Sequence, residues 1–298
     1  MLLKINKRHA ANICLLVAVL FTLAGLFILL SHFDVFDRLG ARFDKNRARI
    51  PILMYHNFAD EGVLGTTISA GAFESQIKAL HDAGYTAISF DELCDFVFNG
   101  ALLPERPLII TIDDGYISVY ETAYPILKKY NMKASVFIIG ISHGKDVYRD
   151  NRTPIFPHFG DAEAIEMAKS GIISIQSHSY DMHHFEPYET GPFRVGVLPL
   201  DNESEAEYIE AFRDDFERAS QQIEIVSETR PFVYSYPYGK YNDLCEILLK
   251  EMGVKVTLTI VGGVSTVVRD SPDSLFRLKR YNVPGDMSEK TLLKLVAR

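Results

Sequence analysis

Three histidines, His178, His183 and His184, stand within seven residues, directly behind the largely apolar run 172–176. Two adjacent carboxylates, Asp113 and Asp114, followed by Gly115, close an earlier apolar run at 108–112. One carboxylate and two imidazoles are a sufficient protein donor set for a catalytic divalent metal, because a catalytic site keeps positions open for water and substrate. Asp114, His178 and one of His183 or His184 can supply that set. Each part has a plainer reading, since Asp-Asp-Gly is also a common turn and an isolated histidine is more often structural or solvated. Packing alone does not account for three histidines at one strand end. Two further candidates have the same placement: His56 follows the apolar residues 52–55, and the run 232–236 ends in Pro237-Tyr238-Gly239, a stiff aromatic turn.

For these residues to meet, the elements carrying them must end on one side of the molecule. Short apolar runs at 50–55, 86–89, 108–112, 134–139, 172–176, 232–236, 255–260 and 276–281 predict strands. Helical patterns separate them. Ser69 is placed to cap a helix carrying Phe73, Ile77 and Leu80, and 118–130, 161–169, 203–226, 241–252 and 288–296 are similar. Such alternation implies an α/β fold with a parallel sheet, and seven or eight units imply a distorted (β/α) barrel, with a doubly wound open sheet as the alternative. In a parallel barrel the chemistry sits at the C-terminal ends of the strands, where all four candidates fall. Residues 185–202 contain Pro and Gly without periodicity and are expected to form a lid or cleft wall.

The 298 residues, 47% of them hydrophobic, are enough to bury a large core. Residues 1–50 hold 8 Lys/Arg against 3 Asp/Glu, and the remainder 23 against 36. So acidic a body repels nucleic acid and anionic polymers, and it suits a neutral substrate or one that becomes cationic as it is processed. Cys14 lies in the apolar N-terminal run, and Cys94 and Cys245 read as buried free thiols rather than a bridge or a zinc site. With no Trp, Tyr and Phe must supply any sugar-stacking surface. Residues 13–30 carry no charge, and a helix over them would span about 27 Å at about 1.5 Å per residue, close to a bilayer core. Lys4, Lys7 and Arg8 precede this run and no clear small-x-small site follows it. The pattern predicts an uncleaved signal anchor: a cytoplasmic tail at 1–9, a single transmembrane helix at 10–31, a juxtamembrane linker at 32–50, and a catalytic domain at 51–298 outside the cell.

From residue 50 onward the chain resembles the polysaccharide deacetylase family, the NodB-homology domain of carbohydrate esterase family four. The family's first motif, Thr-Phe-Asp-Asp-Gly, is similar to Thr111-Ile112-Asp113-Asp114-Gly115, which implies that Asp113 is the catalytic base and Asp114 a metal ligand. The commonest second motif spaces its histidines four apart, whereas His178 and His183 are five apart and Met182 occupies the usual place. That spacing, with Tyr180-Asp181-Met182-His183 and Tyr55-His56, resembles the branch that acts on poly-N-acetylglucosamine. In that branch the catalytic histidine comes from the N-terminal side, a position matched by His56, and no histidine follows residue 184. The arginine that often precedes the Pro-Tyr turn is absent, Ser235-Tyr236 standing there, and the family's frequent tryptophan is missing.

The resemblance implies metal-dependent hydrolysis of N-acetyl groups on an extracellular N-acetylglucosamine polymer, either poly-N-acetylglucosamine or peptidoglycan. One divalent ion, zinc first with cobalt, nickel, manganese or iron as alternatives, would be held by Asp114, His178 and His183. Asp113 would take a proton from water, His56 would give one to the departing amine, and the backbone N–H of Tyr238, after Pro237, would hold the oxyanion. The expected partners are the polymer and the lipid bilayer, not nucleic acid. Three rivals use the same residues differently. They are a non-haem iron oxygenase, which usually sits on an all-β barrel, a glycosidase with Asp113 and Asp114 as its acid pair, and an anchored carbohydrate-binding protein without activity.

Overall fold

The segment Pro107–Asp114 is buried on both faces from Leu108 onward, which is why it reads as one unbroken apolar run. Leu108, Ile110 and Ile112 pack into a cluster with Phe73, Ile77 and Leu80 of a covering helix. By two-residue alternation, Ile109, Thr111 and Asp113 point to the opposite, inner face of the sheet. A polar residue at the end of that inner face is thereby delivered into the middle of the fold.

The computed structural model describes residues 45–62, 65–189 and 191–297. Among them the strands are β1 (Arg47–Tyr55), β2 (Asn57–Phe58), β3 (Thr67–Ile68), β4 (Thr86–Ala87), β5 (Pro107–Asp114), β6 (Ala134–Ile138), β7 (Ile173–Ser177), β8 (Val233–Ser235), β9 (Val256–Leu258), β10 (Val264–Val268) and β11 (Tyr281–Asn282). The α-helices are α1 (Ala70–Asp82), α2 (Phe90–Phe98), α3 (Tyr124–Lys129), α4 (Asp161–Lys169), α5 (Glu205–Ser227), α6 (Asp243–Glu251) and α7 (Glu289–Val296). In the main sheet β1, β5, β6, β7, β8 and β9 are successive neighbours, each pair parallel. β11 pairs in parallel with β1, and three residues before it Leu278 bridges Leu258 of β9. One segment therefore reaches both ends of the row, and the sheet curls back on itself.

The α/β class and the parallel sheet are as expected, but in place of a barrel of seven or eight strands six successive parallel strands form a curled half-barrel. The strand expected at 86–89 shortens to β4 because Ser89 is used as a helix cap. Its Oγ accepts from Glu92 N at 3.2 Å, and the Glu92 carboxylate accepts from Ser89 N at 2.8 Å. The helix so started, α2, has no counterpart in the sequence reading. The helix expected at 118–130 opens as a π-turn at Val119–Ala123 before α3. Cys94 and Cys245 are buried and free. The expected tail, the membrane helix at 10–31 and most of the linker lie outside the described residues. Among the described residues no helix is long and apolar enough to cross a membrane.

Candidate active site

Four strand ends carry the candidate residues: His56 follows β1, Asp113 and Asp114 end β5, His178 follows β7, and Pro237-Tyr238-Gly239 follows β8. Because the strands are parallel, all four ends face the same side. The turns there are tight. Asp114 (φ 75°), Ser179 (φ 76°) and Tyr238 (φ 55°) adopt the left-handed conformation, which costs a non-glycine residue about 1–2 kcal/mol. The position of Gly115 (φ 86°) favours glycine both by its backbone and by a close approach, since a Cβ there would stand 3.0 Å from Ile138 Cγ2.

Asp113 is held inside the curled sheet by Arg280. Nη1 and Nη2 of that guanidinium donate to the two carboxylate oxygens at 2.8 Å each, and Nη2 also donates to Ser235 Oγ at 2.9 Å. Nε donates to Thr259 O at 2.9 Å. Burial pushes the Asp113 carboxyl up, but the charges of Arg280, His178 and His56 together outweigh it and leave it well below the usual carboxylate range. Asp113 is therefore a fixed, ionised carboxylate with Arg280 as its fork-shaped partner.

Asp114 turns the other way, toward two imidazoles. Its Oδ1 lies 3.7 Å from His178 Nε2 and 3.6 Å from His183 Nε2. Two donors each about 2.1 Å from one tetrahedral ion stand about 3.4 Å apart, so the three residues fit a single cation such as zinc. The protonation states fit as well. His178 Nδ1 lies 2.7 Å from Ser235 O, a carbonyl that can only accept, so Nδ1 carries a proton and Nε2 is the nitrogen left to face Asp114. Burial pushes the His183 imidazole down to about 4 despite the nearby Asp114 charge, leaving it neutral. Burial raises the Asp114 carboxyl, but His183, His56 and His178 bring it below its ordinary value.

His184, the rival of His183 in the sequence, is engaged elsewhere. Its Nδ1 accepts from Arg194 N at 3.1 Å and its Nε2 contacts Arg149. Tyr238 reaches across both: its ring lies 4.3 Å from that of His183, and its hydroxyl donates to His184 O at 2.8 Å. His56 carries a buried Nδ1 with no hydrogen-bond partner among the described residues, beside two carboxylates whose ionisation it assists. The segment 185–202 is a wall rather than a free lid. Arg194 forms a buried fork with Glu203 at 2.9 and 2.7 Å, and Tyr208 donates to Val197 O at 2.8 Å. Gly196 (φ 60°) lies so close that a Cβ would be 2.6 Å from Pro237 O.

Two residues at the site have no place in the sequence reading. No arginine stands before the Pro-Tyr turn, and Asp113 is paired instead with Arg280, 45 residues after Ser235. Its signal was present, because residues 276, 278 and 280 share one face of the expected strand, and a charge on the face of Phe276 and Leu278 implies a buried partner. Tyr116 is the other. The Asp114 charge beside it, together with burial, pushes its phenol far above the usual range.

Residues 102–257 match the family model described as polysaccharide deacetylase. The chain is 33% identical over 242 residues to Bacillus subtilis YxkH, which carries a provisional polysaccharide deacetylase name; the match covers 81% of this chain and 74% of that one. It is 26% identical over 250 residues to the poly-beta-1,6-N-acetyl-D-glucosamine N-deacetylase of Escherichia coli, covering 78% of this chain but only 37% of the relative. The solved structure of a de-N-acetylase from Aggregatibacter actinomycetemcomitans superposes with a TM-score of 0.70 at 25% identity, covering 83% of this chain and all of that one.

Proposed function

The chain belongs to the polysaccharide deacetylase family, and on that premise we propose that it hydrolyses N-acetyl groups on a β-1,6-linked N-acetylglucosamine polymer. The observation that carries the reading is the pair of opposed carboxylates at the end of β5. One is locked to Arg280, and the other stands 3.6–3.7 Å from the Nε2 atoms of His178 and His183. Asp114, His178 and His183 would hold one divalent ion, zinc being the first choice for two nitrogen donors and one oxygen. When bound, such an ion supplies polarisation of the amide carbonyl and a lowered pKa for water. Asp113, ionised and fixed by Arg280, takes the proton from the attacking water. The backbone N–H of Tyr238, in the left-handed turn that follows β8, donates to the developing oxyanion, and Pro237 fixes the approach of that turn. His56 protonates the departing amine from the end of β1. The substrate follows the name of the E. coli relative, and an uncharged polymer agrees with the acidic body of this chain.

The other chemistries fit less well. An iron oxygenase of the facial-triad kind sits on an all-β barrel, unlike this parallel α/β sheet. A glycosidase needs two carboxylates about 5 Å or more apart across the substrate, but Asp113 is committed to Arg280 and Asp114 to the histidines. The deciding experiment is acetate release from a β-1,6-linked N-acetylglucosamine oligomer, measured before and after chelation and after zinc is restored. Release that stops on chelation and returns with zinc is expected. No release, or release indifferent to chelation, would overturn the reading.

We also propose that residues 13–30 anchor the chain in the cell membrane with the catalytic domain outside. Protease added to intact cells should then remove the domain, and protection of it would reverse the topology.

A further inference from the structure

The five-residue spacing between His178 and His183 leaves a turn that no helix or strand supports, so its backbone must find partners elsewhere. Those partners can be followed residue by residue. Ser179 N donates to Ser177 Oγ at 3.3 Å, and Met182 N to Ser179 Oγ at 3.2 Å. The two N–H groups between them, at the apex, donate to a single side chain from a distant helix: Tyr180 N to Asp215 Oδ2 at 2.8 Å and Asp181 N to Asp215 Oδ1 at 2.6 Å. Asp215 is buried on α5, and Phe212, three residues before it, and Phe216, directly after it, pack in one cluster with Met182 of the turn. On the far side of the turn, Gly140 N and Ile141 N donate to Ser179 O and Tyr180 O at 3.0 and 2.8 Å.

We propose that Asp215 is a positioning residue for the metal site: by holding both apex N–H groups on α5 it fixes the distance between the His178 and His183 imidazoles. The inference rests on the metal reading of Asp114, His178 and His183. A carboxylate is the one side chain able to accept from both N–H groups at once with two equivalent oxygens. Asparagine has the same shape, but it would turn an NH2 group toward one of the two donors. Asp214, next to it on the exposed face of α5, pairs at 3.8 Å with Arg218, which lies over the Tyr180 ring but bonds neither apex N–H, and serves as the control for the loss of one carboxylate charge.

The test compares the wild-type chain with Asp215→Asn, Asp215→Ala and Asp214→Asn, at about pH 8.5, above the value of about 7 to which burial pushes the Asp215 carboxyl. Cobalt and zinc affinities are measured by competition with a chromogenic chelator, and the visible absorption of the cobalt forms is recorded alongside far-UV circular dichroism. Asp215→Asn is expected to stay folded, to bind metal about 10–100-fold more weakly and to shift the cobalt bands, with Asp215→Ala at least as affected and Asp214→Asn like wild type. A folded Asp215→Asn with wild-type affinity and an unchanged cobalt spectrum would overturn the inference alone. A wild-type chain that binds neither metal would overturn the reading of the site and this inference with it. If Asp215→Ala does not fold, the near-isosteric Asp215→Asn still decides.

Discussion

Asp113 and Asp114 are neighbours in the chain, yet the regions that hold them are built on different principles. Asp113 is fixed from within the curled sheet. Its partners Arg280 and Ser235 are buried on or beside strands, the link to Arg280 is a two-pronged ion pair, and Arg280 is in turn held by the buried Thr259 carbonyl. The region around Asp114 is fixed from outside the sheet, by turns and a helix: His183 rides on a five-residue spacing pinned to Asp215, and the wall beyond it is tied by Arg194 and Glu203. The comparison teaches that a proton-accepting carboxylate and a cation-binding triad make different demands. The former needs a fixed ionised state, which a buried counter-charge provides. The triad needs donor spacing within a few tenths of an ångström, which backbone hydrogen bonds to a turn provide.

The contrast predicts that damage to the two regions can be separated. The largest effect is expected on the metal side. Asp114→Ala and His183→Ala should lose metal and activity together, whereas His184→Ala should keep its metal; elemental analysis of the purified variants checks this, and equal loss at positions 183 and 184 would dissolve the distinction. On the other side, Asp113→Asn should keep its metal while turnover falls by about 10²–10⁴-fold, the range of a positioned acid or base. Arg280→Gln takes the contrast to stability. It leaves Asp113 buried and charged without its counter-ion, so unfolding in urea should show a loss of about 3–5 kcal/mol, with metal affinity of the folded protein retained. His56→Ala should slow turnover by about 100-fold with normal metal content, and normal turnover would assign the amine's proton elsewhere.

The smallest effect is expected in the wall. Glu203→Gln removes the ion pair of Arg194 and should lower stability by about 1–3 kcal/mol, with faster proteolysis within 191–203. The pH dependence follows from the sign of the shift. The bond from Arg194 holds the Glu203 carboxyl below its ordinary 4.5, so the stabilisation is present above that value and is lost as pH falls through the lowered one. Urea melts of wild type and Glu203→Gln should differ at pH 7 and converge in acid. A difference that persists at low pH would place the stabilisation in the loop's packing instead.

What the sequence by itself determined was everything that local chemistry repeats. The apolar run of 108–112 ends in Asp113-Asp114-Gly115 because a doubly buried strand must surface somewhere, and its polar ending marks the place. The alternation of such runs with helical patterns fixed the fold class, and the histidine spacing selected 183 over 184 through resemblance. Ser89 shows the limit of that reading, since a residue of a short apolar run served instead as the cap of α2. Tertiary structure alone decided the pairings that span the chain. Arg280 reaches Asp113 across 167 positions, and Asp215 reaches the 180–181 turn from α5. A side chain's partner depends on how far the sheet curls and on which helix lies over which turn. Neither is set by a residue's neighbours, because closing those distances is the work of burying apolar surface from distant segments together and not of any local preference.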